Sequence, residues 1–175
     1  DRRGGDGDHG TTMAKIAVAI RFAVDNSWEW HTVGELMGAI ASNIMMIKGG
    51  AGGRLWYAFF DGMAQSMPNG LGLSDRGIRR LFAAGVSAVT NITPAQVGGR
   101  TLLDALVPAV NAMQDVDGSA VILAAAASAA EAGARATAQQ LPTFGTARRF
   151  GDMCLGTCDP GAVSMARFFA GLSEG

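Results

Sequence analysis

Apolar residues recur at helical spacing in nearly every long segment of this 175-residue chain. Met13, Ile16, Ile20 and Ala23 share one face of a helix, and no segment alternates apolar and polar residues as a strand does. The connections between these segments are short, which favours antiparallel neighbours. We therefore predict one all-α domain over residues 1–175, an antiparallel bundle or barrel. The predicted helices lie within 13–23, 32–47, 55–63, 74–91, 101–113, 119–139 and 160–172.

Composition and charge exclude several classes of protein. The formal net charge of −1 gives no indication of a nucleic-acid partner or of an acidic membrane surface. No uninterrupted apolar run approaches the ~18 residues of a membrane span. Cys154 and Cys158 have no cysteine or histidine near them that would complete a zinc site, so we interpret them as reduced thiols. These features together predict a cytoplasmic protein.

The first ten residues form an acidic, glycine-rich loop that contains Asp1, Asp6 and Asp8. Its four glycines allow the backbone to turn tightly enough for the carboxylates to converge. Converging carboxylates repel one another unless a cation lies between them, and oxygen ligands favour Mg²⁺ shared with nucleotide phosphates. The loop therefore predicts half of a metal–phosphate site, the alternative being a polar surface turn. No residue before Thr11 is expected to be helical, and Thr11 or Thr12 is the expected helix cap.

Four irregular segments are separated by even or near-even numbers of predicted helices. They are residues 1–10, 49–53, 92–100 and 141–159. Alternate loops of an up-and-down bundle lie at the same end. We therefore expect these four loops to gather at one end of the bundle and to build a single site.

Four motifs follow one another over almost the whole chain. They are Asp1-x4-Asp6-x-Asp8-His9-Gly10, Gly49-Gly50-Ala51, Thr101-Leu-Leu-Asp104-Ala-Leu-Val-Pro108-Ala, and Asp159-Pro160-Gly161-Ala162-Val163-Ser164. In this order they resemble the nucleotide-binding L subunit, or domain, of dihydroxyacetone kinases. The resemblance implies an eight-helix antiparallel barrel with the nucleotide at one end. Seven helices are visible here, so we expect the first one upstream of residue 1.

The resemblance also implies a set of site residues. Asp1, Asp6 and Asp8 would hold two Mg²⁺ ions that bridge to the phosphates of ADP or ATP. His9 to Thr12 would lie on the phosphate side, where a helix N-terminus offers free N–H donors to an anion. Leu102 would lie against the adenine. The implied nucleotide-binding residues are His9, Gly10, Thr11, Thr12, Gly50, Ala51, Gly52, Leu102, Arg148, Asp159 and Gly161.

Four positions depart from the pattern of this family. Gly52 stands where relatives usually have serine, and Thr146 where they have an arginine that contacts the nucleotide. Relatives commonly read Gly-Asp-Lys-Thr before the fifth helix, so Gly99 stands in place of the aspartate and Arg100 in place of the lysine. Arg148 or Arg149 is the candidate to replace that arginine. We expect altered nucleotide contacts, and a short ketose other than dihydroxyacetone remains open as the substrate.

The implied activity is phosphoryl transfer to a ketose held by a partner K subunit, on a histidine of that partner. No catalytic general base is assigned in this chain, and His9 is interpreted either as a phosphate neighbour or as an orienting partner of an aspartate. Two alternatives stay open for the phosphoryl donor: ATP is consumed, or ADP stays bound and is rephosphorylated by a phosphotransferase-system protein. The alternative is a nucleotide-sensing module that regulates a partner without turnover.

Overall fold

The structure, a computed structural model, describes residues 7–47, 50–66 and 73–175. These ranges contain seven α-helices and no strand, which confirms the all-α prediction. None of the helices in these ranges is both long and apolar enough to cross a membrane. The helices are α1 (His9–Asp25), α2 (Val33–Met45), α3 (Ala51–Ser66), α4 (Asp75–Ile92), α5 (Leu103–Ala112), α6 (Ser119–Ala136) and α7 (Pro160–Ser173).

Capping side chains set the starts of α2 and α4 in the N-terminal half of the chain. The Thr32 hydroxyl accepts a hydrogen bond from the Glu35 amide while the Glu35 carboxylate accepts from the Thr32 amide, a reciprocal pair that begins α2. Ser74 caps α4 as predicted, accepting from the Gly77 amide at 3.2 Å. The prediction for α1 was wrong, because that helix begins at His9 and therefore already contains Thr11 and Thr12.

The helices form two compact units, and the first comprises residues 10–93. In this N-terminal unit α3 packs against both α2 and α4. Its core is aromatic: the rings of Phe59 and Phe82 lie 6.2 Å apart, and Trp56 is 2% exposed. A Cβ atom at Gly85 would lie only 2.6 Å from the Phe59 ring, so glycine is required for α4 to approach α3 this closely.

The second unit, the C-terminal unit, comprises residues 94–175 together with residues 7–9, and in it α5, α6 and α7 pack on one another. Pro108 has no N–H to donate to the Asp104 carbonyl one turn earlier in α5. The backbone of α6 lies against that carbonyl at Gly133, where any Cβ atom would overlap the oxygen. The proline and the glycine together therefore allow α5 and α6 to meet backbone to backbone.

Candidate functional site

The loop that leads into α5 is held by a carboxylate from the first turn of the same helix. Asp104 accepts hydrogen bonds from the Gly98 amide at 2.6 Å and from the Thr101 amide at 2.7 Å, one on each oxygen. The residue is 1% exposed. Both acceptors are satisfied by backbone donors, so Asp104 fixes the conformation of the segment that precedes Leu102.

The start of α7 is built around Asp159. Its carboxylate accepts from the Ala162 amide at 2.8 Å, and Pro160 occupies the first turn, where its missing N–H costs nothing. The Asp159 amide donates to the Thr137 hydroxyl at 2.7 Å. Burial raises the pKa of Asp159, although the Ala162 amide and the charge of Arg100 oppose that rise.

These two helix starts meet at Gly161. A Cβ atom there would lie 3.0 Å from the Asp159 carboxylate and 3.4 Å from the Leu102 amide nitrogen. Leu102, Asp159 and Gly161, three of the predicted nucleotide-binding residues, are thus brought together within the C-terminal unit. A helix N-terminus carries the positive end of the helix dipole, which favours an anion near the starts of α5 and α7. The amides of Leu103 and Ala162 are already bonded locally, to Thr101 and to Asp159.

His9 contacts the same helix start. Its Nε2 atom lies 2.8 Å from the Ser164 hydroxyl, which itself donates to the Pro160 carbonyl at 2.9 Å. Because the single hydroxyl proton is directed to Pro160, we infer that His9 Nε2 is the donor to Ser164. Burial lowers the pKa of His9, and the nearby carboxylates of Asp159 and Asp8 oppose this effect. Ser164 is a partner that neither interpretation of His9 included.

The remaining predicted phosphate-side residues lie in the N-terminal unit, at the starts of α1 and α3. Gly10, Thr11, Gly50 and Ala51 are exposed, Gly52 is half-buried, and Thr12 is buried, so that its side chain faces the core. Their role in phosphate binding stays a prediction.

The predicted metal ligands are only partly within the described ranges. Asp8 is exposed and directly precedes α1, whereas Asp1 and Asp6 lie outside the described residues. Within residues 7–47, 50–66 and 73–175, no three histidine, cysteine, aspartate or glutamate side chains form a cluster that could hold a metal ion. The three-aspartate magnesium site therefore stays a prediction.

Two departures from the family pattern can be located. A Cβ atom at Gly99 would lie 2.9 Å from the Gln96 carbonyl and 2.9 Å from the Thr143 hydroxyl, so the aspartate usual in relatives has no room here. Thr146 begins a short 3₁₀ helix, Thr146–Arg149, on which Arg148 is exposed. The contact of Arg148 with a nucleotide stays a prediction.

Arg100 is the residue of this region that sequence reasoning missed. It is 3% exposed, and its guanidinium donates to the carbonyls of Thr137 and Thr157 and to the Thr157 hydroxyl. The turn Gly98-Gly99-Arg100-Thr101 departs from the family pattern. No sequence signal, however, links a long side chain to partners 37 and 57 residues away.

An open pocket of about 510 Å³ lies elsewhere, in the N-terminal unit. It is lined by residues such as Phe22, Trp30, Glu35 and Asn43. None of the predicted site residues lines it, so it gives no support to the predicted nucleotide site.

Known proteins resemble the chain over nearly its whole length. It is 33% identical to the L-erythrulose 1-kinase of Mycolicibacterium smegmatis over 99% of the chain, which covers 31% of that enzyme. It is 32% identical to the PTS-dependent dihydroxyacetone kinase ADP-binding subunit DhaL of Lactococcus lactis, covering 97% of the chain and 82% of that subunit. The chain thus spans about a third of the longer kinases and most of the separate subunit.

A solved structure and a family model agree with these relatives. The native crystal structure of the dihydroxyacetone kinase of C. freundii matches with a TM-score of 0.78 and 28% identity, over 99% of this chain and 30% of that one. The model of the DAK2 domain matches residues 4–174. This chain therefore belongs to the DAK2 domain family, which corresponds to the L subunits of dihydroxyacetone kinases.

Proposed function

We propose that this chain is the nucleotide-binding subunit or domain of a Mg²⁺-dependent kinase that phosphorylates dihydroxyacetone or a related short ketose. The observation that carries the proposal is the meeting of the α5 and α7 N-termini at Leu102, Asp159 and Gly161. These are the motifs for which the family resemblance implies nucleotide contacts. The name of the Lactococcus relative, an ADP-binding subunit, supports the same ligand.

In this proposal the residues of the chain position the nucleotide and its phosphates. Leu102 contacts the adenine, and the segment from Asp159 to Gly161 closes over the nucleotide. Backbone N–H groups at 10–12 and 50–52 bind the phosphates. An exposed carboxylate directly before a helix start, as at Asp8, suits a hard cation shared with phosphate oxygens.

Asp1 and Asp6 complete the carboxylate set that would hold two Mg²⁺ ions. Mg²⁺ held by these carboxylates would neutralise charge on the phosphate oxygens, which is the main requirement of phosphoryl transfer. The ketose is held by a partner K subunit or domain, which also supplies the acid–base chemistry. The phosphoryl donor is either ATP or a retained ADP that a phosphotransferase-system protein rephosphorylates, and the reaction takes place in the cytoplasm.

Calorimetric titration of ADP and ATP, with and without Mg²⁺, tests the nucleotide site. The unmodified chain is compared with an Asp6→Asn, Asp8→Asn double variant and with Asp115→Asn, a control at an exposed aspartate outside the motifs. We expect Mg²⁺-dependent binding in the unmodified chain and in the control, and its loss in the double variant. Absence of nucleotide binding to the unmodified chain would overturn the proposal.

Turnover with a K subunit separates the kinase from the second candidate, a nucleotide-sensing module. The second candidate is favoured by Thr146, which replaces the expected nucleotide-contacting arginine and is exposed. Dihydroxyacetone and the two enantiomers of erythrulose are the substrates to compare, since relatives are named for both ketoses. A kinase phosphorylates at least one of them, whereas a sensor binds nucleotide and transfers nothing.

A further inference from the structure

Arg100 combines two unfavourable features at one position. Its φ of 60° is the only positive value among the non-glycine residues that the structure describes. Its Nε–H is buried and has no hydrogen-bond acceptor within the described part of the chain. Backbone strain and unpaired buried donors persist where the surrounding structure enforces them, and they are enriched at functional sites.

The guanidinium of Arg100 joins two loops that are distant in sequence. Nη1 donates to the Thr157 carbonyl at 3.0 Å and to the Thr137 carbonyl at 3.3 Å, while Nη2 donates to the Thr157 hydroxyl at 3.2 Å. Thr137 also accepts the Asp159 amide on its hydroxyl, at 2.7 Å. The side chain therefore holds the segment that leads into Asp159 both directly and through Thr137.

The backbone of Arg100 belongs to the other half of the site. It lies two residues before Leu102, in the loop that Asp104 fixes. Leu102 in turn lies within van der Waals distance of where a Cβ atom at Gly161 would be. Arg100 thus links the segment that carries Leu102 to the segment that carries Asp159 and Gly161.

We propose that Arg100 is a positioning residue for nucleotide binding, whose guanidinium holds the Leu102 segment and the Asp159–Gly161 segment at the separation that a bound nucleotide requires. The inference rests on the proposed nucleotide-binding function. The planar guanidinium presents several donors in fixed directions, and one group here serves two carbonyls and a hydroxyl. A lysine ammonium carries fewer donors on a flexible stem, so it replaces this group only in part.

The test compares Arg100→Met and Arg100→Lys with Arg135→Met in the whole chain. Arg135 is a matched control, because its side chain is exposed and its guanidinium pairs with Glu131 one turn away. Dissociation constants for ADP and ATP are measured by calorimetry, and melting temperatures are measured without nucleotide. We expect Arg100→Met to raise the dissociation constants for ADP and ATP roughly ten- to hundredfold, and Arg100→Lys to raise them less. In Arg135→Met the dissociation constants should stay within about twofold of those of the unmodified chain.

Thr157→Val gives a second route if Arg100→Met does not fold. It removes the hydroxyl acceptor of Nη2 and leaves the Thr157 carbonyl in place. We expect Thr157→Val to lower the affinity for ADP and ATP severalfold. When Thr157→Val is added to Arg100→Lys, the further loss of affinity should be smaller than in the unmodified chain. Unchanged affinities with lowered melting temperatures in Thr157→Val and Arg100→Lys would show that Arg100 serves stability alone. Failure of the unmodified chain to bind nucleotide would instead overturn the proposed function itself.

Discussion

His9 Nε2 lies 2.8 Å from Ser164 Oγ, although 155 residues separate the two in sequence. The Ser164 hydroxyl is held on its other side by the Pro160 carbonyl. Within the C-terminal unit, His9 is therefore attached to α7 by a side-chain hydrogen bond. Because Asp8 directly precedes His9, this bond also restrains the end of the acidic loop.

Ser164→Ala is expected to lower the free energy of unfolding by about 1 kcal/mol, since His9 loses a partly buried hydrogen-bond partner. Ser173→Ala is the matched control, because Ser173 lies on the same helix, is exposed, and donates only to the Ala170 carbonyl. The control is expected to change stability by less than about 0.5 kcal/mol. Urea denaturation measures both variants. Equal losses would show that the His9 contact contributes nothing.

Gly133→Ala is expected to destabilise the chain by about 3 kcal/mol, because its Cβ atom would overlap a backbone oxygen of α5 that cannot rotate away. Gly171→Ala is the control, since no other described part of the chain beyond its own helical turns lies within 4 Å of where its Cβ atom would be. Removing a glycine from an open helical position is expected to stabilise by up to about 1 kcal/mol. Thermal unfolding followed by circular dichroism should show a lower melting temperature for Gly133→Ala and an equal or higher one for Gly171→Ala. A neutral Gly133→Ala variant would contradict the close packing of α5 and α6.

The pH dependence of stability tests the buried carboxyl group of Asp159. Its pKa is raised above the ordinary value of 3.8, so the folded state binds more protons than the unfolded state between those two values. The free energy of unfolding should therefore fall as pH rises through that window, and this contribution becomes constant above the raised pKa. Asp159→Asn keeps an acceptor for the Ala162 amide, and its free energy of unfolding should not show this decrease with pH.

Urea denaturation at a series of values between about pH 3 and pH 7 measures this difference. The quantity to compare is the stability of Asp159→Asn minus that of the unmodified chain. It should increase with pH through the window above 3.8 and then level off. A difference that decreases with pH would show that the carboxylate is stabilised in the folded state.

Helical periodicity was sufficient to predict the fold class and all seven helices, because each helix buries an apolar stripe. Periodicity did not fix the residues at which the helices begin and end. Gly10 indicated a loop by its residue type, yet it lies in the first turn of α1. Ser74 was predictable as a cap because a serine before a helical pattern accepts a local amide, an interaction three residues long.

The proximity of three predicted site residues followed from their motifs, whereas the long-range contacts around them did not. The resemblance grouped Leu102, Asp159 and Gly161, and the structure places them together. It could not indicate that Arg100 reaches Thr157, because that contact depends on how two distant loops pack. Nor could it explain Gly99, whose missing side chain makes room for Thr143.

Asp104→Asn is expected to destabilise the chain by about 2 to 3 kcal/mol, because an amide offers one acceptor where two backbone N–H groups need one each. The NH₂ group would face either the Gly98 or the Thr101 amide, donor against donor, in a buried position. Asp115→Asn, at an exposed aspartate, is the control and should change stability by less than about 0.5 kcal/mol. Urea denaturation gives the stabilities, and calorimetry with ADP should show weaker binding in Asp104→Asn alone, since the loop before Leu102 loses its anchor. A variant as stable as the control would mean that the carboxylate does not organise this loop.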